Sequence, residues 1–378
     1  MQRMTRTPRP DWPQRVEAYG LTFHTIDGEL YWDESCCYRF TAAEVDEIDD
    51  ATAELHRLCL ETVDAVVRAG DFAAFHLPPD FIPLVVKSWE ERRPSLYGRF
   101  DLAYDGAHPP KLLEYNADTP TALLEASVIQ WFWLEEVEPE ADQFNSIHER
   151  LLERFQALHT SLPELEHPTF YFASVSNSEE DFITVNYLRD LAIQAGFATE
   201  YLTMGEIGWH HQREVFVDPA ERELQRIFKL YPWEWLVREP FGPYLLRDQL
   251  QIFEPAWKML LSNKALLPLL WQRYPEHPNL LRAEWEPFGE CYVRKPILSR
   301  EGANVTLVAD GVVLIETPGM YDDVPCVYQD YSPLPQFDGN YPVLGSWIVG
   351  DTACGMGIRE DRSPITQNTS RFVPHLFV

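Results

Sequence analysis

Positive charge is scarce in this sequence. Its 31 lysines and arginines face 60 aspartates and glutamates, leaving a net charge of -29 over 378 residues. Such a chain lacks the basic surface that neutralises phosphate backbones, so nonspecific nucleic-acid binding is not expected. Acidity of this degree can steer cationic substrates such as polyamines, or serve solubility alone. Cysteine is sparse and scattered. Cys36, Cys37, Cys59, Cys291, Cys326 and Cys354 form no C-x-x-C pair and no metal-ligand spacing, which fits a reduced, cytoplasmic protein. No run approaches the roughly 18 apolar residues of a membrane span. The opening Met1-Gln2-Arg3-Met4-Thr5-Arg6 has no apolar stretch, so a signal peptide is not expected. Repeats, low-complexity segments, a Walker A loop and a dinucleotide-binding fingerprint are all missing. Apolar material is not: 45% hydrophobic and 13% aromatic residues exclude the disordered class. The length predicts two or three subdomains.

Along the chain, residues 41–69 predict a long amphipathic helix. Thr41 and Glu44 form a capping box, Val45, Ile48, Leu55, Leu58, Val63 and Val66 an apolar stripe, and Gly70 a stop. Thr119 followed by Pro120 reads as the start of a second helix, running through Leu123, Leu124, Val128 and Trp131. Its N-terminus would offer free N–H groups to an anion. A third helix is expected over about 142–160. Residues 169–175 and 198–202, with a helix between them capped at Ser178, form a βαβ-like unit ending near Gly208. Residues 221–290 look mainly helical, and strands dominate from Cys291 onward.

Four polar residues share one face of a predicted hairpin. Tyr97 to Tyr104 is one strand and Lys111 to Asn116 the other, separated by the turn-rich stretch 105–110. Alternation puts Arg99 and Asp101 on one side and Phe100, Leu102 and Tyr104 on the other. Glu114 and Asn116 likewise share a face. Two carboxylates and an amide oxygen suit a hard cation such as Mg²⁺, and an adjacent arginine suits phosphate. A solvated hairpin face carrying a surface salt bridge has the same pattern.

Two later stretches are suited to polyphosphate. Lys295-Pro296-Ile297-Leu298 leads into the small-residue loop Ser299-Arg300-Glu301-Gly302-Ala303-Asn304 between two strands. Backbone N–H groups and two cations there could neutralise charge during phosphoryl transfer; a plain hairpin loop looks the same. Lys264 enters an otherwise apolar helix, where its stem can cover hydrophobic surface and its head reach a cleft. Gln329, at the end of a strand, can offer an amide to an adenine edge.

Taken in order, Arg99-Phe100-Asp101, Glu114-Tyr115-Asn116-Ala117-Asp118, Asn263-Lys264-Ala265-Leu266-Leu267-Pro268, Lys295-Pro296-Ile297 and Tyr328-Gln329 resemble the synthetase domain of glutathionylspermidine synthase and its stand-alone acid–amine ligase relatives. The resemblance runs from about residue 12 to the end. It implies an α/β (α+β) chain with an ATP-grasp-like fold in permuted order. Residues 12–165 would carry the metal hairpin, 166–210 an inserted α/β subdomain, and 211–378 the ATP-binding part. It implies ATP and Mg²⁺ as cofactors, the metal on Asp101, Glu114 and Asn116. Arg99, Phe100, Asp101, Lys264 and Lys295 would meet the nucleotide, with Arg99 and Arg300 offsetting charge on the transferring group. Arg300, Glu301 and Gly302 would lie on a loop closing over the γ-phosphate. Gln329, Asp330, Tyr331 and Ser332 would line the adenine, with Pro364, Ile365 and Thr366 nearby. Thr119, Thr121 and Arg359 would contact the acid, and Glu179 and Glu180 the amine. The acid would be glutathione or another peptide.

No amidase domain precedes the synthetase part, so product hydrolysis is not expected. Arg371 stands where bifunctional members carry an acidic residue that pairs with the polyamine, which argues against spermidine. Glu301 also departs from the small or neutral residue of the family loop. A noncatalytic nucleotide-binding relative and a carboxylate-based hydrolase are the competing classes.

Overall fold

A computed structural model describes residues 1–26 and 28–378. The centre is a five-stranded antiparallel sheet ordered Arg371–Val373, Thr352–Asp361, Tyr341–Val349, Tyr97–Ala103, Lys111–Asn116. Strand alternation separates two cores. Phe100, Leu102, Leu344, Ile348 and Ile358 face the long helix Ala42–Ala69. Tyr97, Trp347, Val349 and Phe372 face the opposite way, against the helix Ile147–Ser161 and a second sheet. The long helix begins and ends where its sequence signals stand: Thr41 Oγ1 accepts from the Glu44 amide, and Gly70 closes it at φ 67°.

The second sheet is wholly parallel, ordered Gln251–Phe253, Arg226–Leu230, Phe170–Ser174, Thr199–Thr203, with the helix Glu179–Gln194 as a crossover. The expected boundary at 210 therefore falls inside this α/β unit. Residues 221–290 are not mainly helical either. Three short strands lie there, Arg226–Leu230, Gln251–Phe253 and Ala283–Glu284, and segments this short cannot be told from helix by periodicity alone. A third, antiparallel sheet runs Ala283–Glu284, Cys326–Asp330, Tyr292–Pro296, Thr306–Ala309, Val312–Glu316. The strand Cys36–Phe40 lies between the two terminal strands, pairing with Gln2–Thr5 on one edge and His375–Phe377 on the other.

The helix after the hairpin starts later than Thr119-Pro120 predicts. Residues 117–122 form a loop, Ala122 takes φ 62°, and helix begins at 123, widening to a π turn over Glu125–Ile129. Asp118 dictates this path. It is fully buried, accepting from Lys229 Nζ and the Trp233 amide, each at 2.8 Å. Thr119 is thereby drawn away from capping, and its hydroxyl accepts from Arg300 at 2.6 Å. The third helix also starts late, at Ile147, because residues 142 and 145 bridge to Phe377 and Gly355. All six cysteines are unpaired, and among the described residues no helix is long and apolar enough to cross a membrane.

Candidate active site

The hairpin register sets Arg99 opposite Asn116 and Asp101 opposite Glu114. All four polar side chains converge on one face, while Phe100 stacks on Tyr115 behind them at 3.8 Å between ring centroids. Gly98 makes room for that stack, since a Cβ there would lie 2.8 Å from the Tyr115 ring. The Phe100 ring is therefore core, and Phe100 is not among the residues that line the cleft, contrary to its expected place beside the nucleotide. Asn116 Nδ2 donates to Asp101 Oδ2 at 3.2 Å and to Glu114 Oε1 at 3.1 Å, so one amide spans both carboxylates. A hard cation with this donor set would take the place of that N–H contact, the amide turning its oxygen inward. The residues present fit Mg²⁺ in this sense. Arg99 grips Asp101 with Nε at 2.7 Å and a terminal nitrogen at 3.1 Å, and gives its other nitrogen to the Thr121 carbonyl.

Lysines from the far end of the chain reach the same face. Lys264 Nζ lies 3.1 Å from Glu114 Oε2 and donates to the Ser299 carbonyl. Lys295 Nζ crosses from the third sheet to the hairpin, donating to Gln329 Oε1 at 2.7 Å and to the Leu113 carbonyl at 3.1 Å. Gln329 completes the bridge through Nε2 to the Leu112 carbonyl. Burial alone would raise the Glu114 pKa, but the two lysines outweigh it and hold the carboxyl down at about 2. Burial likewise lowers Lys295 to about 8, with Glu114 opposing.

These groups line one cleft between the central and third sheets, of about 800 Å³ with open solvent included. Asp101, Glu114, Lys264, Lys295 and Gly302 share it with Gln329, Asp330, Tyr331 and Ser332, and with Pro364, Ile365 and Thr366. Its apolar walls, Val293, Val305, Leu307, Leu334 and Val343, carry no motif in the sequence. Strand alternation is the signal that finds some of them: Val293 stands two residues from Lys295, hence on the same face. Gly302 lies at φ 69°, and a Cβ there would come within 2.6 Å of the Thr366 carbonyl oxygen, so the 299–304 loop can only rest on the 365–366 segment with glycine at this position.

Arg99 and Arg359 sit outside that cleft and border a smaller neighbouring hollow with Trp347, kept open by Gly345 and Gly357; Asp101 and Thr366 line both. Arg300 bonds Glu234 at 2.9 Å besides Thr119, an ion pair that no sequence pattern reveals. Glu301 is exposed at φ 53°, and Glu179 is exposed and accepts from Thr22. Glu180 is half-buried near Thr121 and Arg359; burial raises its pKa, while the Thr121 hydroxyl and Arg359 pull it back. Arg371 does not stand free. It binds Asp33 at 3.0 Å, Glu360 at 2.8 Å and the Asn340 side chain at 2.6 Å. Asp33, Cys36 and Glu360 have metal-ligand proximity, but Arg3 also donates to Glu360 and Cys36. Two guanidinium groups thus occupy this cluster, and its charge is balanced within the fold.

A family model described as glutathionylspermidine synthase preATP-grasp matches residues 3–378. A Haemophilus influenzae protein named as a candidate acid–amine ligase is 43% identical over 396 residues, covering 100% of both chains. Trypanothione synthetase of Crithidia fasciculata is 29% identical, over 84% of this chain and 53% of that one. The bifunctional glutathionylspermidine synthetase/amidase of Escherichia coli is 28% identical, over 90% and 59% respectively. The chain thus matches a little over half the length of each of the last two. A solved structure of a glutathione synthetase-like effector from Globodera pallida has a similar fold, with TM-score 0.59 at 11% identity, covering 99% of this chain and 100% of that one.

Proposed function

The chain belongs to the glutathionylspermidine synthase family, and from that premise we propose that it is an ATP- and Mg²⁺-dependent ligase joining a carboxylic acid to an amine through an acyl phosphate. The family and its relatives are ATP-dependent ligases. The observation that carries the reading is the meeting of Glu114, Lys264 and Lys295 in one cleft, since oxygen ligands beside ammonium groups are what a metal–triphosphate complex requires. The architecture is read as a permuted ATP-grasp-like fold with an inserted α/β unit.

A free carboxylate does not acylate an amine near neutrality, so its oxygen must first be made a leaving group. In this reading the acid's carboxylate attacks the γ-phosphate of ATP, ADP departs, and the amine displaces phosphate from the mixed anhydride. Asp101, Glu114 and Asn116 would hold Mg²⁺, which when bound would neutralise and template phosphate oxygens. Lys264 and Lys295 would bind the phosphates. Arg99 and Arg300 would offset charge on the transferring group. The 299–304 loop would exclude water from the anhydride. Pro364, Ile365, Thr366 and residues 329–332 would enclose the base, Thr119, Thr121 and Arg359 would receive the acid, and Glu179 and Glu180 would face the amine. Glutathione or another peptide is the proposed acid. Six unpaired cysteines accord with a reduced cytoplasmic setting.

The test is ADP release across a panel of acids (glutathione, other thiol peptides, amino acids) combined with polyamines and simple amines. Release that needs both an acid and an amine, and that disappears in Asp101→Ala and Glu114→Ala while the fold survives, supports the ligase. Near-normal turnover in both variants removes the metal assignment. Nucleotide binding without amine-stimulated ADP release points to a noncatalytic relative instead.

A further inference from the structure

Amide formation leaves one task unassigned. The amine arrives as an ammonium ion, and it must lose a proton before its nitrogen can attack. Among the described residues, one carboxylate near the acid-binding hollow is both enclosed and half-unpartnered. Glu125 is 1% exposed. Its Oε1 accepts from the Tyr31 hydroxyl at 2.6 Å, while its Oε2 is buried with no hydrogen-bond partner among the described residues. Leaving a carboxylate oxygen in that state is costly, and the cost is commonly kept where a ligand relieves it.

Its position is tied to the site by the backbone. The Ala126 amide donates to the Ala122 carbonyl, and Ala122 lines the hollow with Arg99, Asp101 and Arg359. Glu125 follows three residues later, at the first position of the widened turn. The next residue, Ala126, packs on Gly357, two residues before Arg359 in the adjoining strand. The π turn over Glu125–Ile129 widens the helix at this point, a feature that recurs at functional sites. Arg359 mirrors the situation: Nε is buried without a partner among the described residues, while a terminal nitrogen is held by the Gln367 and Asn368 carbonyls. An unsatisfied acceptor and an unsatisfied donor thus stand on adjoining segments beside the hollow lined by Ala122, Gly357 and Arg359.

We propose that Glu125 is the group that takes the proton from the attacking amine, with Tyr31 fixing its orientation. The inference rests on the ligase reading above. The ammonium gives one proton to Glu125 Oε2, and the lone pair so freed forms the C–N bond to the acyl carbon. The acyl C–O bond to phosphate breaks with its electrons passing to phosphate, and a second proton leaves nitrogen with that phosphate. Glu125 then returns its proton to water. The surroundings suit the role. Burial, followed by repulsion from Glu180, raises the Glu125 pKa to about 7, against the opposing pull of the Tyr31 hydrogen bond and Arg359. Glu180, from the helix Glu179–Gln194, is the second carboxylate facing it, and an ammonium between the two relieves their repulsion. Asp181 is also raised to about 7, by burial and then Glu180, but its backbone amide is engaged in capping with Ser178 and no orphaned oxygen marks it.

Hydroxylamine separates this step from the rest, because it is already neutral near pH 7 and traps the acyl phosphate as a hydroxamate without a base. The experiment compares wild type, Glu125→Gln and Tyr31→Phe in the acid panel above, once with hydroxylamine and once with 1,3-diaminopropane or spermidine. Expected for Glu125→Gln is retained hydroxamate formation with amide formation reduced by about 100-fold or more. The residual amide rate should climb about tenfold per pH unit as free amine increases. Tyr31→Phe should show a smaller loss confined to amide formation. Equal losses of hydroxamate and amide, or an unchanged amide rate, overturn the assignment of Glu125 and leave the ligase intact. Failure of the wild type to form either product with any acid overturns the ligase reading itself, and the base with it.

Discussion

Lys264 and Glu114 meet at 3.1 Å although they come from opposite halves of the chain. Lys264 stands at the start of a short apolar helix, and Glu114 on the hairpin edge of the central sheet. Without nucleotide the two neutralise one another. A metal–triphosphate complex would give each a new partner, metal for the carboxylate and phosphate for the ammonium.

Lys264→Met should therefore weaken ADP–Mg²⁺ binding by about 10-fold to 100-fold, the loss expected for one charge-assisted phosphate contact. The fold should lose stability as well, because the Lys264 side chain is only 9% exposed and its ammonium also donates to the Ser299 carbonyl. Calorimetric titration and urea melts measure the two effects separately. Unchanged nucleotide affinity would remove Lys264 from the site.

Arg300→Ala tests a different role. Arg300 joins Glu234 and Thr119, and so links the 299–304 loop to the parallel-sheet unit and to the loop after the hairpin. Its loss should leave ATP affinity within about threefold and slow ADP formation by about 100-fold or more, the scale seen when one group that stabilises transition-state charge is deleted. Glu234→Gln should give a smaller defect of the same kind, since Glu234 holds the guanidinium in place. A defect in affinity alone would argue against a loop that acts during the chemical step.

The long helix, the hairpin and its polar face were legible because each rests on local chemistry: a capping box, an αL glycine, and alternation of side chains. The cleft residues of the late strands were legible through the family strings at 263–268 and 295–297. Less legible were features set by distant contacts. Nothing near Thr119 announces that Asp118 will be buried against Lys229, a contact that delays the helix to residue 123. Arg371 looks like a free cation in sequence, yet Asp33 and Glu360 enclose it from other parts of the chain. Glu125 reads as one more helix glutamate, and only its enclosure sets it apart.

Asp118→Asn should cost stability rather than chemistry. The amide can still accept from the Trp233 N–H, but Lys229, at 1% side-chain exposure, would lose the carboxylate that favours its charged form while burial continues to oppose it. Removing one partner of such a pair costs about 3–5 kcal/mol. Adding Lys229→Met should restore part of the loss. Thermal or urea unfolding of the single and double variants measures the coupling, and additive losses would mean that the two residues do not depend on each other.

Lys295 gives the site a pH dependence of definite sign. Burial brings its pKa from the usual 10.5 to about 8, the Glu114 attraction notwithstanding. Between about 8 and 10.5 the unfolded chain thus carries a proton that the folded chain has lost, and this residue's contribution makes the fold more stable as pH rises through that window. Nucleotide binding runs the opposite way. Above about 8 the free protein loses the ammonium that would face phosphate, so affinity for ADP should fall, approaching about tenfold per pH unit. Bound phosphate favours the charged lysine, so binding in that range should take up a proton. Calorimetry in two buffers of different ionisation enthalpy detects the uptake. Lys295→Arg keeps the charge at every accessible pH and should flatten both the affinity profile and the proton uptake. A wild-type profile already flat from neutrality to mild alkali would mean that Lys295 does not carry the nucleotide's charge.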